Sequence, residues 1–365
     1  MLGFRHRPIL SLCRSPIRRT QQEFRKFSSS STATTSSSRN YSPLLVCGVL
    51  AASSTVAAYF FWPDTSRSAP THIHAHLSPA HFTPVILTGS KSCPDPETRL
   101  ITLTVPPQSV PARNETVFGP IWSVFIKDDD IQVERPYTPL KGIDSEGRMD
   151  FWVKRYPKGE VGRWLHSKRV GDTIEIRGPV QTWRWQEEKW DEIVMISGGT
   201  GITPFCQLLH HSILNDPTTP SRPRFVLLHS SRKPTELPPA DMLEPVLSAA
   251  QQHPENLSVS LFVDSLDGPQ HPLVASSTLQ VGRINKTAIE RAVGLDNDHW
   301  WNHLFRIGSR KDTQKENGKK ILFLVCGPDP LIAAIAGPLG RNFSQGNLGG
   351  VLGSMGYGKD QVWKL

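Results

Sequence analysis

Arg135-Pro136-Tyr137-Thr138 sets a guanidinium, an aromatic ring and a small hydroxyl side by side at the end of a predicted strand. A guanidinium pairs with a pyrophosphate, a ring packs on a flat heterocycle and a hydroxyl donates to a ring nitrogen, so the run offers a shelf for a flavin nucleotide. Further along, Gly198-Gly199-Thr200-Gly201-Ile202-Thr203-Pro204 follows the apolar strand Ile193-Val194-Met195-Ile196 and opens a helical stretch from Phe205 to Leu214. Backbone N–H groups and a helix N-terminus would face any phosphate placed there. Cys326-Gly327-Pro328 follows the apolar strand Ile321 to Val325, and its thiol sits just beyond the carboxyl end of that strand. Open α/β sheets bind ligands at that end, and a nicotinamide could reach it. Taken singly, the first run is an ordinary turn, the second a weak signal and Cys326 a small buried hydrophobe. Their order points to flavin first and nicotinamide second.

At these residues the chain resembles the ferredoxin-reductase-like flavoenzymes, and within them the NADH-cytochrome b5 reductase branch, over about residues 82 to 365. The resemblance implies that Arg135, Pro136, Tyr137 and Thr138 bind FAD. It gives the glycine run, with Gly198, Gly199, Thr200, Gly201, Thr203 and Pro204, to both nucleotides, and sets Cys326, Gly327 and Pro328 near the nicotinamide. Thr138 and Cys326 then stand closest to the chemistry. Gly159 to Leu165 resembles the family's second FAD segment, with Glu160, Val161 and Gly162 at the pyrophosphate. Gly162 stands where that family uses a hydroxyl, a lost hydrogen bond on the order of 0.5–1.5 kcal/mol. Lys154 matches a family lysine near the nucleotide site. Leu365 ends the chain where many relatives carry an aromatic residue.

Elements that must position these residues divide at about residue 183. Before it, short alternating strands such as Arg99 to Val105 and Asp150 to Tyr156, broken by Pro and Gly, predict an antiparallel β-barrel FAD domain over 82–183. After it, apolar strands (193–196, 224–229, 257–263, 321–325) alternate with helices (205–214, 241–252, 286–293, 329–340). That pattern predicts a doubly wound parallel-sheet α/β domain binding NAD(P)H over 184–365. Trp183, Trp185 and Trp190 join the two as a packing cluster. Residues 306–320, polar and basic, read as a surface insertion. After the second strand, Arg232 and Lys233 would welcome a ribose 2′-phosphate, whereas Glu236 would accept from a 2′-OH. The family has an acid at that place, which implies NADH, with NADPH open.

Residues 1–40 hold eight Lys and Arg against Glu23 alone, which is +7 of the chain's formal +8. Arg-rich, Ser-rich and acid-poor, they read as a mitochondrial presequence, and the basic balance describes a leader rather than a nucleic-acid surface. No charge occurs from Asn40 to Pro63, and residues 41–62 are long enough for one transmembrane helix ending in Tyr59, Phe60, Phe61 and Trp62. Charge on either side places the body outside the matrix. For an inner-membrane protein that is the intermembrane space. A linker, 63–81, carries His72, His74, His76 and His81 as exposed polar residues. Five cysteines form no C-x-x-C pair, so neither a disulfide framework nor a metal site is expected.

The leader, the span, Ile121 to Val124 ahead of Glu134 to Leu140, and the short link from Pro179 to the glycine run resemble the fungal mitochondrial flavoproteins that assist haem attachment to apocytochrome c. That resemblance implies haem, apocytochrome c or a haem lyase as partner. Cytochrome b5 is the alternative acceptor, although a body with almost no excess charge has little basic surface to offer its acidic groups. A redox-inactive, membrane-tethered scaffold is a third alternative. Gly162 and Leu365 permit it, while the intact Arg135, Tyr137, Thr138 and glycine run oppose it.

Overall fold

A computed structural model describes residues 69–111, 118–184, 189–214, 223–295, 319–341 and 344–365. The predicted presequence and membrane span, Trp185 and most of the 306–320 insertion lie outside the described residues. Among the described residues, no helix is long and apolar enough to cross a membrane.

Strands β1 (Thr83–Ser92), β2 (Thr98–Thr104), β3 (Ile121–Lys127), β4 (Glu134–Tyr137), β5 (Arg148–Lys154) and β6 (Thr173–Trp183) form one antiparallel sheet in the order β4-β3-β6-β1-β2-β5. Side chains alternate between faces along a strand. In β1 this buries Thr83, Val85 and Leu87 and turns Ile86 and Thr88 outward. Val85, Leu87, Ile101, Leu103, Val124, Ile126, Phe151, Ile174 and Ile176 meet in a single core. Because inner and edge strands feed that core, the sheet curls into a barrel that stays open between β4 and β5. Position β4 at the edge explains how it accommodates Pro136, which has no N–H for a second neighbour. Helix α1 (Glu160–Ser167), between β5 and β6, adds Val161, Trp164 and Leu165 to the same core.

The second sheet is parallel, in the order β10-β9-β8-β7-β11-β12, from β7 (Glu192–Gly198), β8 (Arg224–Ser231), β9 (Leu257–Val263), β10 (Gln280–Val281), β11 (Ile321–Cys326) and β12 (Val362–Lys364). Every residue of β7 is buried, as expected of a strand covered on both faces. Ile193 and Met195 face helices α2 (Thr203–Leu209) and α3 (Ala240–Gln252), whereas Val194 and Ile196 share a cluster with α4 (Lys286–Ala292) and α5 (Asp329–Ala336). From β7 the chain passes to β8 on one side and later to β11 on the other. The carboxyl ends of β7 and β11 therefore flank the switch point where such sheets take ligands.

Two predicted helices are shorter than expected. The stretch 205–214 becomes a π-helical turn after Leu209, and α5 stops at Ala336 because Gly337 takes φ +82° ahead of Pro338. Barrel and sheet share one apolar seam: Ile121, Leu140, Trp152 and Trp183 pack with Met195, Ile202 and Phe205, and Trp190 rests on the edge. Across it the Trp122 N–H donates to Gln207 Oε1 at 2.8 Å. Cys206 is buried in the same seam.

Candidate active site

Strand β4 is fixed by Arg177, whose Nε and Nη2 each donate to a Glu134 carboxylate oxygen at 2.6 Å while its guanidinium lies 4.3 Å over the Phe125 ring. Arg135 is exposed, with the Glu134 carbonyl at 2.9 Å and Glu160 Oε2 at 3.9 Å as its neighbours. Thr138 Oγ1 shares a 2.8 Å hydrogen bond with Ser123 Oγ, and burial pushes the Tyr137 phenol well above its ordinary pKa.

Ser123, Arg135, Tyr137 and Thr138 line a cleft of about 870 Å³. Pro136, Lys154, Glu160, Val161 and Gly162 form its barrel side, and Thr200, Gly201, Thr203, Pro204, Cys326, Gly327 and Pro328 its sheet side. Helix α1 has no side-chain cap, so its first N–H groups stay open to a ligand. A Cβ at Gly162 would lie 2.7 Å from the Lys154 carbonyl. The glycine therefore marks a close approach of α1 to β5 as well as a missing hydroxyl. Gly201 marks a closer one, where a Cβ would lie 2.5 Å from the Cys326 carbonyl and 2.6 Å from Gly327. The glycine run and the Cys-Gly-Pro turn thus touch backbone to backbone. Burial pushes the Cys326 thiol up to about 12, so it stays neutral at physiological pH.

An adjoining cleft of about 630 Å³ takes Gly198, Gly199 and Glu236 from the predicted set, and Lys154, Tyr156 and Pro328 line both clefts. Glu236 is engaged already: its Oε2 accepts from Lys154 Nζ at 3.1 Å and from Arg232 Nε at 2.9 Å. Lys154 also donates to Asp95 Oδ2 at 3.2 Å. Asp264 and Arg283, paired at 3.7 Å, face the same cleft and escaped the sequence reading. Asp264 follows directly on β9, and extending the carboxyl-end rule by one strand would have found it. At the C-terminus, the Leu365 N–H donates to the Val325 carbonyl at 2.9 Å and the side chain packs on the seam, while Trp363 faces the larger cleft.

FAD suits the larger cleft. Its volume lies within the roughly 300–1,000 Å³ of cofactor sites. Its lining includes the Arg135 cation, the uncapped start of α1, the Tyr137 ring and the Thr138 hydroxyl. An open antiparallel barrel joined to a doubly wound parallel sheet, with the two clefts at their seam, defines a two-domain flavin and pyridine-nucleotide oxidoreductase. Residues 109–185 match the oxidoreductase FAD-binding domain family and residues 195–337 the oxidoreductase NAD-binding domain family. The chain is 30% identical over 245 residues to NADH-cytochrome b5 reductase 2 of Scheffersomyces stipitis, covering 66% of this chain and 70% of that one. It is 29% identical over 246 residues to the Saccharomyces cerevisiae protein of the same name, covering 67% and 70%. In fold it resembles the cytochrome b5 reductase domain of Ulva prolifera nitrate reductase, with TM-score 0.54 and 21% identity over 80% of this chain and all of that domain. The chain belongs to the NADH-cytochrome b5 reductase family, whose cofactors are FAD and NADH.

Proposed function

We propose that the protein oxidises NADH through FAD and delivers electrons one at a time to haem or a haem protein. The observation that carries this reading is the common wall of the two clefts, formed by Lys154, Tyr156 and Pro328. FAD, when bound, supplies acceptance of a hydride and release of single electrons. Arg135 and the open end of α1 would hold its pyrophosphate, Tyr137 would pack on the flavin and Thr138 would donate to it. Gly201 admits the nicotinamide end by letting the Cys-Gly-Pro turn close on the glycine run. The neutral Cys326 thiol lines that approach without adding charge, and the shared apolar seam keeps water back. Glu236 retains Oε1 to accept from the adenosine ribose, which favours NADH because a 2′-phosphate there would face a carboxylate.

For the acceptor, the reading is haem or apocytochrome c during haem attachment, in company with a haem lyase. In this reading the catalytic part faces the intermembrane space from the mitochondrial inner membrane, tethered by residues 41–62. Its support is the basic, Ser-rich leader followed by an uncharged stretch. Cytochrome b5 is the second reading, favoured by the names of the relatives.

The test is the visible spectrum of the purified full chain in detergent, recorded before and after anaerobic NADH. Reduced protein is then mixed with haemin, with apocytochrome c plus haem, or with cytochrome b5. Flavin absorption bleached by NADH and restored fastest by the haem mixtures is the expected result. Fastest restoration by cytochrome b5 would replace the first acceptor by the second. A protein that stays colourless in excess FAD would leave only a scaffold role.

A further inference from the structure

Lys154 and Glu236 come from different domains, one at the end of β5 and the other beyond β8, and a third residue settles how they meet. Asp95 lies in the connection between β1 and β2. Its Oδ1 accepts from the Glu97 N–H at 3.0 Å, and its carbonyl accepts from the Thr98 N–H at 2.9 Å and Thr98 Oγ1 at 3.0 Å. Those bonds lock the side chain in a tight turn with Oδ2 aimed at Lys154 Nζ, 3.2 Å away. The three charged side chains are nearly enclosed, at 9% exposure for Asp95, 11% for Lys154 and 15% for Glu236. At such burial a charge needs its full set of partners.

The ammonium is held from two sides. Asp95 draws it toward the barrel while Glu236 engages it with Oε2, the oxygen that Arg232 also uses. No hydrogen bond to Glu236 Oε1 is formed among the described residues, so that oxygen is the one left for a ligand in the smaller cleft. Without Asp95, Lys154 would have Glu236 as its only carboxylate. The carboxylate would then turn to take the ammonium with both oxygens. The cluster would also change from two cations against two acids to two cations against one, which suits a phosphate better than a hydroxyl.

We propose that Asp95 is a positioning residue for pyridine-nucleotide selectivity: by holding Lys154 from the barrel side it keeps Glu236 Oε1 directed at the adenosine ribose. The inference rests on the reading that NADH reduces bound FAD. Asp95 touches neither nucleotide in this scheme, and it acts through Lys154.

The test is steady-state and rapid-reaction kinetics of the full-length holoenzyme with NADH and with NADPH, for wild type, Asp95→Asn and Asp95→Ser. Serine keeps an oxygen for the Glu97 N–H. Loss of a charge-assisted partner is expected to raise KM for NADH and to lower the NADH-to-NADPH ratio of kcat/KM by about tenfold each, with FAD content and kcat for NADH within about twofold of wild type. Asp95→Glu, which restores the charge, recovers most of the ratio. A merely structural role would lower FAD content or slow both nucleotides equally. An unchanged ratio in whichever of the two variants retains FAD overturns the proposal, as does loss of FAD from both. Wild-type flavin that NADH does not reduce would instead overturn the underlying reading, so the two failures are separable.

Discussion

A methyl group at position 201 would lie 2.5 Å from the Cys326 carbonyl oxygen and 2.6 Å from both N and Cα of Gly327, where ordinary contact begins near 3.4 Å. One side must therefore retreat by about 0.9 Å. Neither can do so cheaply, because every atom met is backbone. Gly327 is itself at φ +150°, with the backbone N of Gly198 only 3.0 Å from where its own Cβ would stand. Overpacking of this kind costs about 1–3 kcal/mol of stability. For catalysis, a misplacement of about 1 Å at a site that depends on near-contact geometry costs roughly a hundredfold. Gly201→Ala is thus expected to slow anaerobic flavin reduction by saturating NADH about a hundredfold in stopped flow, while the purified protein keeps its FAD. Gly199→Ala is the matched control. Gly199 sits at φ +53° with no atom within 4 Å of a built Cβ. Its substitution meets only the left-handed backbone penalty of about 1–2 kcal/mol, and its reduction rate should stay within a few-fold of wild type. A Gly201→Ala protein reduced as fast as wild type would refute the reasoning, since the backbone contact would then not set the distance between the glycine run and the Cys-Gly-Pro turn.

Arg135→Ala removes a guanidinium whose pairing with a pyrophosphate is worth about 1.5–3 kcal/mol, so the flavin-to-protein ratio after desalting should fall well below wild type; full retention would count against the pyrophosphate assignment. Gly162→Ser should fail to tighten FAD, although the family favours a hydroxyl there, because its Cβ meets the Lys154 carbonyl at 2.7 Å; a lower FAD dissociation constant with unchanged stability would show that α1 gives way. Cys326→Ser should slow flavin reduction with FAD still bound, and unchanged single-turnover reduction would remove the thiol from the chemistry. Burial depresses His229 to about 3 and His210 to about 4, against 6.5 for a free imidazole. Folding stability from these groups is complete above about pH 6.5. It falls by about 1.4 kcal/mol per pH unit for the fully buried His229, and by less for the half-buried His210, as the unfolded chain alone takes up protons, down to their folded values. Urea midpoints at pH 7.5 and 5.5 measure this, and equal midpoints would contradict it.

What the sequence shows well is what a residue demands of its own neighbourhood. Continuous apolar runs at 193–196 and 321–325 announce strands covered on both faces, and Gly, Pro and Thr at fixed offsets announce backbone turned toward a ligand. Two short strands, β10 and β12, were not legible, because two or three residues carry no periodicity and become strands only by pairing with β9 and β11. The same limit governs the site. Arg135 and the glycine run could be read locally, whereas Asp95 meets Lys154 only once β2 pairs with β5, and Lys154 meets Glu236 only after two domains have folded and docked. Glycines expose the difference most sharply. At 162 the chain shows a hydroxyl that is missing, and only the packing of α1 against β5 shows that no side chain has room there. A departure from a family motif can therefore record a change in how two elements approach rather than a weakened function. Whether FAD is bound less tightly then depends on what the open N–H groups of α1 recover from the closer approach, and not on the lost hydrogen bond alone.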